Sequence, residues 1–482
     1  MNRRQFLQSA AATSVIAEIP GFLFGQSAAP RTVTLSINSA AKRIPLPSRF
    51  TGLSYESAQL GNPGYFSADN KELISLVRQL GIKGVLRIGG STSDFDHWAP
   101  RHIPRTASWF EPANPDTGEN AVVQAVVTET AIDELRTFLD ATGWSLIYGI
   151  DLGHGSPEQA ADEAAYVVQK IGPALMALQI GNEPDLFPPS IRSAPYGFDE
   201  YFKEWQRFAT AIRQRTPSAP LAGPDIADAV DWVDAFAKRA HGISLLTSHY
   251  YAEGPPESPA SDIRHLLQDR PELQKRMEHL VAVGRSAGLP YRMAEGNSCY
   301  NGGKPGVSDS FASALWGADF MLLLAELGVS GVNFHGGGHG YYTPIAGGGH
   351  IPLEWRPLYY GMLFYREFAS GSLIPCRLDA DDVNATAYAC HNSDGRLAIA
   401  IINKDLERDL QLTLSGGVFT NPSREMTLRA PSVDSRTGVT LGGKGLSTDG
   451  IWHGAYTPGT PGRELTIPRT SALLIEFDGV QL

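Results

Sequence analysis

Residues 174–183 read ALMALQIGNE. A mostly apolar run ends at Gly181, and an amide and a carboxylate follow at once, Asn182 and Glu183. A short apolar run closed by a turn residue suits a strand buried on both faces, as in a parallel sheet. The same texture recurs along the chain. FTGLSYES (50–57), GVLRIGGS (84–91) and WSLIYGID (144–151) precede it. PLAGPDIA (220–227), ISLLTSHYY (243–251), PYRMAEGN (290–297) and VSGVNFHGG (329–337) follow. Amphipathic stretches lie between, among them KELISLVRQLG (71–81), TAIDELRTFLDATG (130–143) and EYFKEWQRFATAIRQRT (200–216). DWVDAFAKRAHG (231–242) and DSFASALWGADFMLLLAELG (309–328) complete the set, and several end in Gly as a helix C-terminus should. Strands alternating with helices imply parallel strands joined by crossovers. Eight repeats of that unit predict a closed (β/α)8 TIM barrel rather than an open doubly wound sheet. No G-x-G-x-x-G follows the first strand to argue for the open form.

The flanks read differently. RTVTLSIN (31–38) alternates apolar and polar residues, the pattern of a half-buried strand. Past about residue 372, TAYACHN, LAIAIIN, LQLTLS, EMTLRA and ALLIEFDG alternate or run apolar between Gly, Pro, Asn and Asp. They predict an all-β sandwich that the early strand could join. The expected division is an export signal at 1–29, a strand joining the sandwich at 30–47, the barrel at 48–371 and the sandwich at 372–482. The leading segment, MNRRQFLQSAAATSVIAEIPGFLFGQSAA, resembles a bacterial twin-arginine signal. It implies an exported protein, periplasmic or extracellular, with Glu18 and Pro30 leaving the cleavage point open.

The chain has 482 residues, 42% hydrophobic and 19% charged, with a formal net charge of −11. This is enough apolar content for a large core without staples. The negative balance repels nucleic-acid phosphates and anionic lipid, so neither is an expected partner. No stretch after the signal is long and apolar enough to span a bilayer. The three cysteines are too few for a disulfide framework, with Cys376 and Cys390 the one candidate bridge. Cys/His clusters with zinc spacing are absent, and no metal or cofactor is expected.

Barrel chemistry sits at the carboxyl ends of the strands. Those ends carry Glu56, Arg87, Asp151, Asn182, Glu183, Asp225, His249, Tyr251, Glu295 and His335. G-x-S-x-G is absent, and the histidines of HGSPE and HGGGHG do not have the H-E-x-x-H spacing. His249 alone reads more readily as a hydrogen-bonded wall residue than as a metal ligand. What remains is a glutamate pair, Glu183 after strand four and Glu295 after strand seven. In a closed eight-stranded barrel those strands face each other across the mouth. Two opposed carboxylates are what glycosidic bond cleavage requires, one protonated to serve the leaving oxygen and one ionised to face the anomeric carbon. Unequal burial and mutual repulsion can separate their pKa values. The competing explanation for Glu183 alone is a helix-starting carboxylate ahead of Pro184.

An Asn–Glu after strand four and a Glu after strand seven resemble the large clan of retaining (β/α)8 glycosidases. LRIGGSTSDF (86–95), IGNEPDLF (180–187), SHYY (248–251) and AEGNSCYNGG (294–303) narrow the resemblance to the heparanase-like β-glucuronidases, glycoside hydrolase family 79. VSDSFASALWGADFMLLLAELGVSGVNFHGGG (307–338) extends it. The resemblance implies Glu183 as acid/base and Glu295 as nucleophile. It implies Asn182 on the sugar 2-hydroxyl, Tyr251 beside Glu295, and Glu56 as a ligand for sugar hydroxyls. Arg87 could help keep Glu295 ionised or serve only as a buried structural cation. A sugar carboxylate would be held by Tyr300, Gly340 and either Tyr341 or Tyr342, donors without a cation that would depress the acid/base pKa. Those tyrosines could equally be platforms that stack on any sugar face.

The leading expectation is therefore a retaining, exo-acting β-glucuronidase on a glucuronic-acid-containing carbohydrate. The alternatives are endo cleavage of a polysaccharide, action on a neutral sugar, and, against the presence of both glutamates, a non-catalytic carbohydrate-binding protein. The acidic balance favours exo action, and nothing in the sequence names a protein partner.

Overall fold

The computed structural model describes residues 28–99, 126–348, 351–380, 382–415, 422–461 and 464–480. Apart from its last two positions, the expected export signal lies outside the described residues. Among these, no helix is long and apolar enough to cross a membrane.

Eight parallel strands close into a barrel in chain order. They are Thr51–Glu56, Val85–Gly89, Ser145–Ile150, Leu175–Ile180, Leu221–Ile226, Ile243–Glu253, Tyr291–Cys299 and Val332–Gly336. Six fall within one of the eight apolar runs, and the sixth and seventh strands overrun theirs by two residues each, to Glu253 and Cys299. Closure is made by the last strand on the first, with Val332 opposite Thr51 and His335 opposite Ser54. The strands read as continuous apolar runs because helices cover one face and the barrel interior the other. The interior is not wholly apolar. Near its floor Arg292 is 1% exposed and donates to Asn333 Oδ1 at 2.6 Å and to the Arg49 and Phe50 carbonyls at 2.8 and 3.2 Å.

Local chemistry places the helices between the strands. The Asn70 side chain caps Lys71–Gln79 by accepting from the Leu73 N–H, and Thr128 caps Glu129–Thr142 through Ala131. Pro157–Ile171, which the sequence did not announce by a clear apolar stripe, starts with Ser156 and Gln159 capping each other reciprocally. Gly143 and Gly328 end their helices in the left-handed conformation that a Cβ disfavours.

Phe311–Leu327 is apolar nearly all round because it is covered on several sides. It packs over the seventh and eighth barrel strands, with Trp316 and Phe320 against Phe334, and against Pro357–Phe368, so closely that a Cβ on Gly361 would collide with the Ala314 carbonyl. Its Asp319 reaches into the β module, accepting from the Tyr388 hydroxyl at 2.7 Å and Lys404 Nζ at 2.7 Å.

The β module is two packed sheets. One has the order Cys376–Asp379, Ala28–Ile37, Arg408–Ser415, Glu464–Ile467. The early strand is thus in the sheet, parallel to 408–415 and antiparallel to 376–379. The larger sheet contains Gly371–Ile374, Ala385–Asn392, Leu397–Asn403, Ser471–Phe477 and Arg424–Arg429 in that order. LAIAIIN is apolar throughout because both its faces are covered. Ala398, Ala400 and Ile402 join the barrel's core, while Leu397, Ile399 and Ile401 face the smaller sheet with Val33 and Leu35. The candidate bridge is not formed: Cys376 and Cys390 are both free. Cys390 pairs across the sheet with Leu373 and Ala398, while the Cys376 thiol donates to the Ala387 carbonyl at 3.4 Å.

Candidate active site

The fourth barrel strand stops at Ile180, and the chain turns sharply across its end. The Gly181 N–H donates to the Ile150 carbonyl at 3.0 Å, Asn182 N–H to Asp94 Oδ2 at 3.0 Å, and Glu183 N–H to the Asp225 carbonyl at 2.9 Å. The ends of the third and fifth strands and the turn after the second thereby fix three successive peptides. Glu183 is held with φ 47° and ψ 52°, a conformation costly for a residue with a Cβ and common at functional sites. It precedes only the single 3-10 turn Pro184–Leu186 and makes no capping hydrogen bond, which removes the helix-start explanation of its carboxylate. Asp185 does the anchoring instead, accepting from the Ala227, Asp228 and Ala229 N–H groups at 2.9, 2.9 and 3.0 Å.

Glu295, from the seventh strand, is 5% exposed and stands opposite. An oxygen of Glu183, an oxygen of Glu295 and a nitrogen of His249 lie within 4.8 Å of one another. The two carboxylates have different surroundings. Glu295 accepts from Arg87 Nη1 at 2.5 Å and from the Tyr251 hydroxyl at 2.6 Å, with His335 Nδ1 at 3.4 Å and His249 Nδ1 at 3.9 Å. Burial by itself would raise its pKa. The charges of His335, His249 and Arg87, with the Tyr251 hydrogen bond, outweigh burial and hold it well below the usual carboxylate range. Glu183 is half-buried and has one ionic partner at hydrogen-bond distance, His249 Nδ1 at 2.8 Å. There burial dominates, and the pKa is raised above the usual range despite His249.

Arg87 is the hub. Its guanidinium is 1% exposed and uses every nitrogen: Nε to Gln179 Oε1 at 2.8 Å, Nη1 to Ser54 Oγ at 3.0 Å and Glu295, Nη2 to Asn182 Oδ1 at 2.8 Å and Asp225 Oδ2 at 2.7 Å. The two roles weighed for Arg87 therefore coincide, since the same buried cation that ties four strand ends together also neutralises Glu295. Asn182 has its amide oxygen occupied by Arg87, which leaves the NH2 as its donor.

His249 lies in the wall, as read from sequence, with Nδ1 on Glu183 and Nε2 3.1 Å from Asp225 Oδ1. Burial opposes its protonation, but the charges of Asp225 and Glu295 and the bonds to Asp225 and Glu183 prevail and push its pKa up to about 10. Glu183, His249 and Glu295 are spaced as a metal could require, yet the donor set argues otherwise. A His249 imidazolium, with Nδ1 bonded to Glu183 and Nε2 close to Asp225, has no lone pair to give, and Glu295 is already paired with Arg87.

Glu56 ends the first strand with its carboxylate engaged by the Thr92 N–H and hydroxyl, both at 2.8 Å, and by His335 Nε2 at 3.2 Å. Tyr300 is 38% exposed, its ring edge-on to Tyr251 with centroids 6.4 Å apart. The neighbouring tyrosines of the last loop separate. Tyr342 is buried, 6.2 Å from the Tyr251 ring and 5.9 Å from that of His335, whereas Tyr341 turns to the Arg356 guanidinium 6.0 Å from its ring. Tyr341 is thus not brought to the aromatic group around Glu295: the two tyrosines are the central residues of a turn closed by the Thr343 N–H on the Gly340 carbonyl at 3.2 Å, and only Tyr342 is buried. Gly340 is buried, and Arg356 donates to its carbonyl. Asp151 stays apart, accepting from the His154 N–H at 2.8 Å in its own loop.

Ser54, Asp94 and Gln179 belong to this network without having been picked from sequence, and Asp225 and His335 had been noted only as strand ends. Their signal was weak because each acts through another side chain. Period two along FTGLSYE does put Ser54 and Glu56 on one side of their strand, which is the clue that could have found Ser54.

No family model matches the chain. A β-glucuronidase of Aspergillus niger is 25% identical over 501 residues, spanning 91% of this chain and 89% of that protein. A β-glucuronidase of Neurospora crassa is 25% identical over 477 residues, spanning 87% and 82%. Among solved structures, a 4-O-α-L-rhamnosyl-β-D-glucuronidase of Fusarium oxysporum superposes with a TM-score of 0.74 at 17% identity, over 92% of this chain and all of that one. A glycoside hydrolase family 51 arabinofuranosidase of Xanthomonas axonopodis gives 0.66 at 14% identity, over 92% and 99%. A family 44 xyloglucanase of Paenibacillus polymyxa gives 0.61 at 13%, over 92% and 99%. These likenesses show a barrel with a flanking β module shared among several glycosidase families, so the fold does not single out one of them. With the two relatives of nearly full length, the chain is a glycoside hydrolase.

Proposed function

We propose that this glycoside hydrolase is a retaining, exo-acting β-glucuronidase of the heparanase-like type. The observation that carries the reading is the contrast between two carboxylates with oxygens within 4.8 Å, one raised in pKa and one depressed. Retaining glycosidases hold their carboxyls about 5–5.5 Å apart, whereas inverting ones need roughly 6.5–9.5 Å to admit water between. Glu295, ionised by its cations, attacks the anomeric carbon and forms the glycosyl-enzyme ester. Glu183 gives its proton to the departing oxygen and, as a carboxylate, is stabilised by the His249 imidazolium. It then takes a proton from the water that displaces Glu295. The Asn182 NH2 serves as donor to the sugar 2-hydroxyl.

The glucuronide part of the reading is supported by the two fungal β-glucuronidases and by the neutral donors at Tyr300, Tyr342 and the Gly340 loop. Exo action is supported by the net charge of −11, which disfavours a long anionic polymer along the surface. The test is the rate on matched aryl β-glucuronide, β-glucoside, β-galactoside and β-xyloside. A strong preference for the glucuronide is expected, and equal rates on glucuronide and glucoside would overturn carboxylate recognition. Export is proposed on Arg3–Arg4 and the weakly apolar stretch behind them. Mature protein recovered outside the cytoplasm should lack the first residues, and an intact Met1 there would overturn it.

A further inference from the structure

Glu295 has cations on more than one side. Arg87 and His249 lie toward strands two and six, and His335, at the end of strand eight, lies toward strand one. Its ring is 4% exposed. Nε2 is 3.2 Å from Glu56 Oε1, while Nδ1 is 3.0 Å from Ser54 Oγ and 3.4 Å from Glu295 Oε2. The other oxygen of Glu56 is held by the Thr92 N–H and hydroxyl, so this carboxylate is fixed before any sugar arrives. The His335 carbonyl accepts from Asn297 Nδ2 at 2.7 Å, and the Tyr342 ring closes the remaining flank. Arg87 Nη1 donates to the same Ser54 oxygen and opposes a charge on the ring.

Geometry decides the protonation that makes sense here. A bare Nδ1 would accept from the Ser54 hydroxyl at 3.0 Å but would leave its lone pair beside a carboxylate oxygen 3.4 Å away, which repels it. A proton on Nδ1 places an N–H between Ser54 and Glu295, and the second N–H meets Glu56. Two flanking carboxylates favour that state over the opposing Arg87.

We propose that His335, clamped by Glu56 and Ser54, is a positioning residue that keeps the Glu295 carboxylate ionised and fixed. Glu56 thereby acts on Glu295 through His335 as well as on the sugar. The inference rests on the reading of Glu295 as nucleophile.

The experiment is the pH dependence of kcat/KM on an aryl β-glucuronide for His335→Gln, which can still meet Glu56 but carries no charge. The acid limb, which reports ionisation of Glu295 against Arg87, His249, Tyr251 and Glu183, is expected to move up by about one unit or more, the size of a lost neighbouring charge. The fall in kcat/KM should be roughly tenfold or more and lie in kcat rather than KM. Glu56→Gln, which removes the charge holding the imidazolium, should shift the limb the same way by less, and serves alone should His335→Gln not fold. An unmoved acid limb in the folded variants overturns the His335 role. Full activity of Glu295→Gln, run alongside, overturns instead the nucleophile assignment beneath it.

Discussion

Glu183 and Glu295 are the same amino acid with pKa values shifted in opposite directions, and the difference lies in what each touches. Glu295 meets a guanidinium and a phenol at 2.5 and 2.6 Å, whereas Glu183 has, among the described residues, only the His249 ring as a side-chain hydrogen-bond partner, at 2.8 Å. Glu295→Gln should lower kcat by about a thousandfold or more on every substrate, because no other group can form the ester. Glu183→Gln should lose about 10²–10⁴ on alkyl glucuronides, whose leaving oxygen needs a proton. It should keep much of the first step on nitrophenyl glucuronides, with added azide restoring turnover as glucuronyl azide. Full alkyl activity in that variant would remove Glu183 from the mechanism. The pH profile follows with its sign. In the proposed mechanism Glu183 must be protonated to act, and its pKa is raised, so the alkaline limb should lie above the range of an ordinary carboxyl and activity should fall as pH rises through it. Glu295 must be ionised, and its depressed pKa keeps it so through mildly acidic pH.

Apart from the left-handed conformation of Glu183, the elements carry these side chains on ordinary local structure. Each barrel strand is built on an apolar run, and several helix starts, at Asn70, Thr128 and Ser156 among them, are capped by ordinary side chains. Ser156 accepts from the Gln159 N–H at 3.2 Å while the Gln159 side chain returns to the Ser156 N–H. Ser156→Ala should therefore cost about 1 kcal/mol, read as a shift in urea midpoint with the slope unchanged. A loss within error would show that water replaces the cap. The loops at the strand ends were less legible than the strands. Tyr341 and Tyr342 were indistinguishable in GGHGYYTPI, since adjacency says that one faces in without saying which. Arg356, on a later segment, is the partner that draws Tyr341 away.

Across the whole molecule, the barrel and the β module are joined through buried polar chemistry as well as apolar contact. Lys404, 2% exposed, bridges Asp319 of a barrel helix at 2.7 Å and Asp269 at 2.8 Å. Lys404→Met should lower stability by about 3 kcal/mol or more, because Asp319 would remain largely buried without its cation. Thermal melts should show the loss while kcat of the folded enzyme stays near that of the parent. A stable variant with impaired turnover would mean instead that the module communicates with the strand ends.

Periodicity and turn residues sufficed for the eight strands, their parallel order and the β character of the flanks. Burial on two faces and capping are short-range demands that each segment writes into its own composition. The opposition of Glu183 and Glu295 was also legible, because counting strands around a closed barrel converts sequence order into position. The free state of Cys376 and Cys390, the saturation of Arg87, the choice of Tyr342 and the Glu56–His335–Glu295 chain were not. Each depends on distances of a few ångströms between residues far apart in sequence, from 14 between the two cysteines to 279 between Glu56 and His335. Only barrel closure, which seats the eighth strand beside the first, brings Ser54 and Glu56 to His335, which in turn reaches the Glu295 carboxylate.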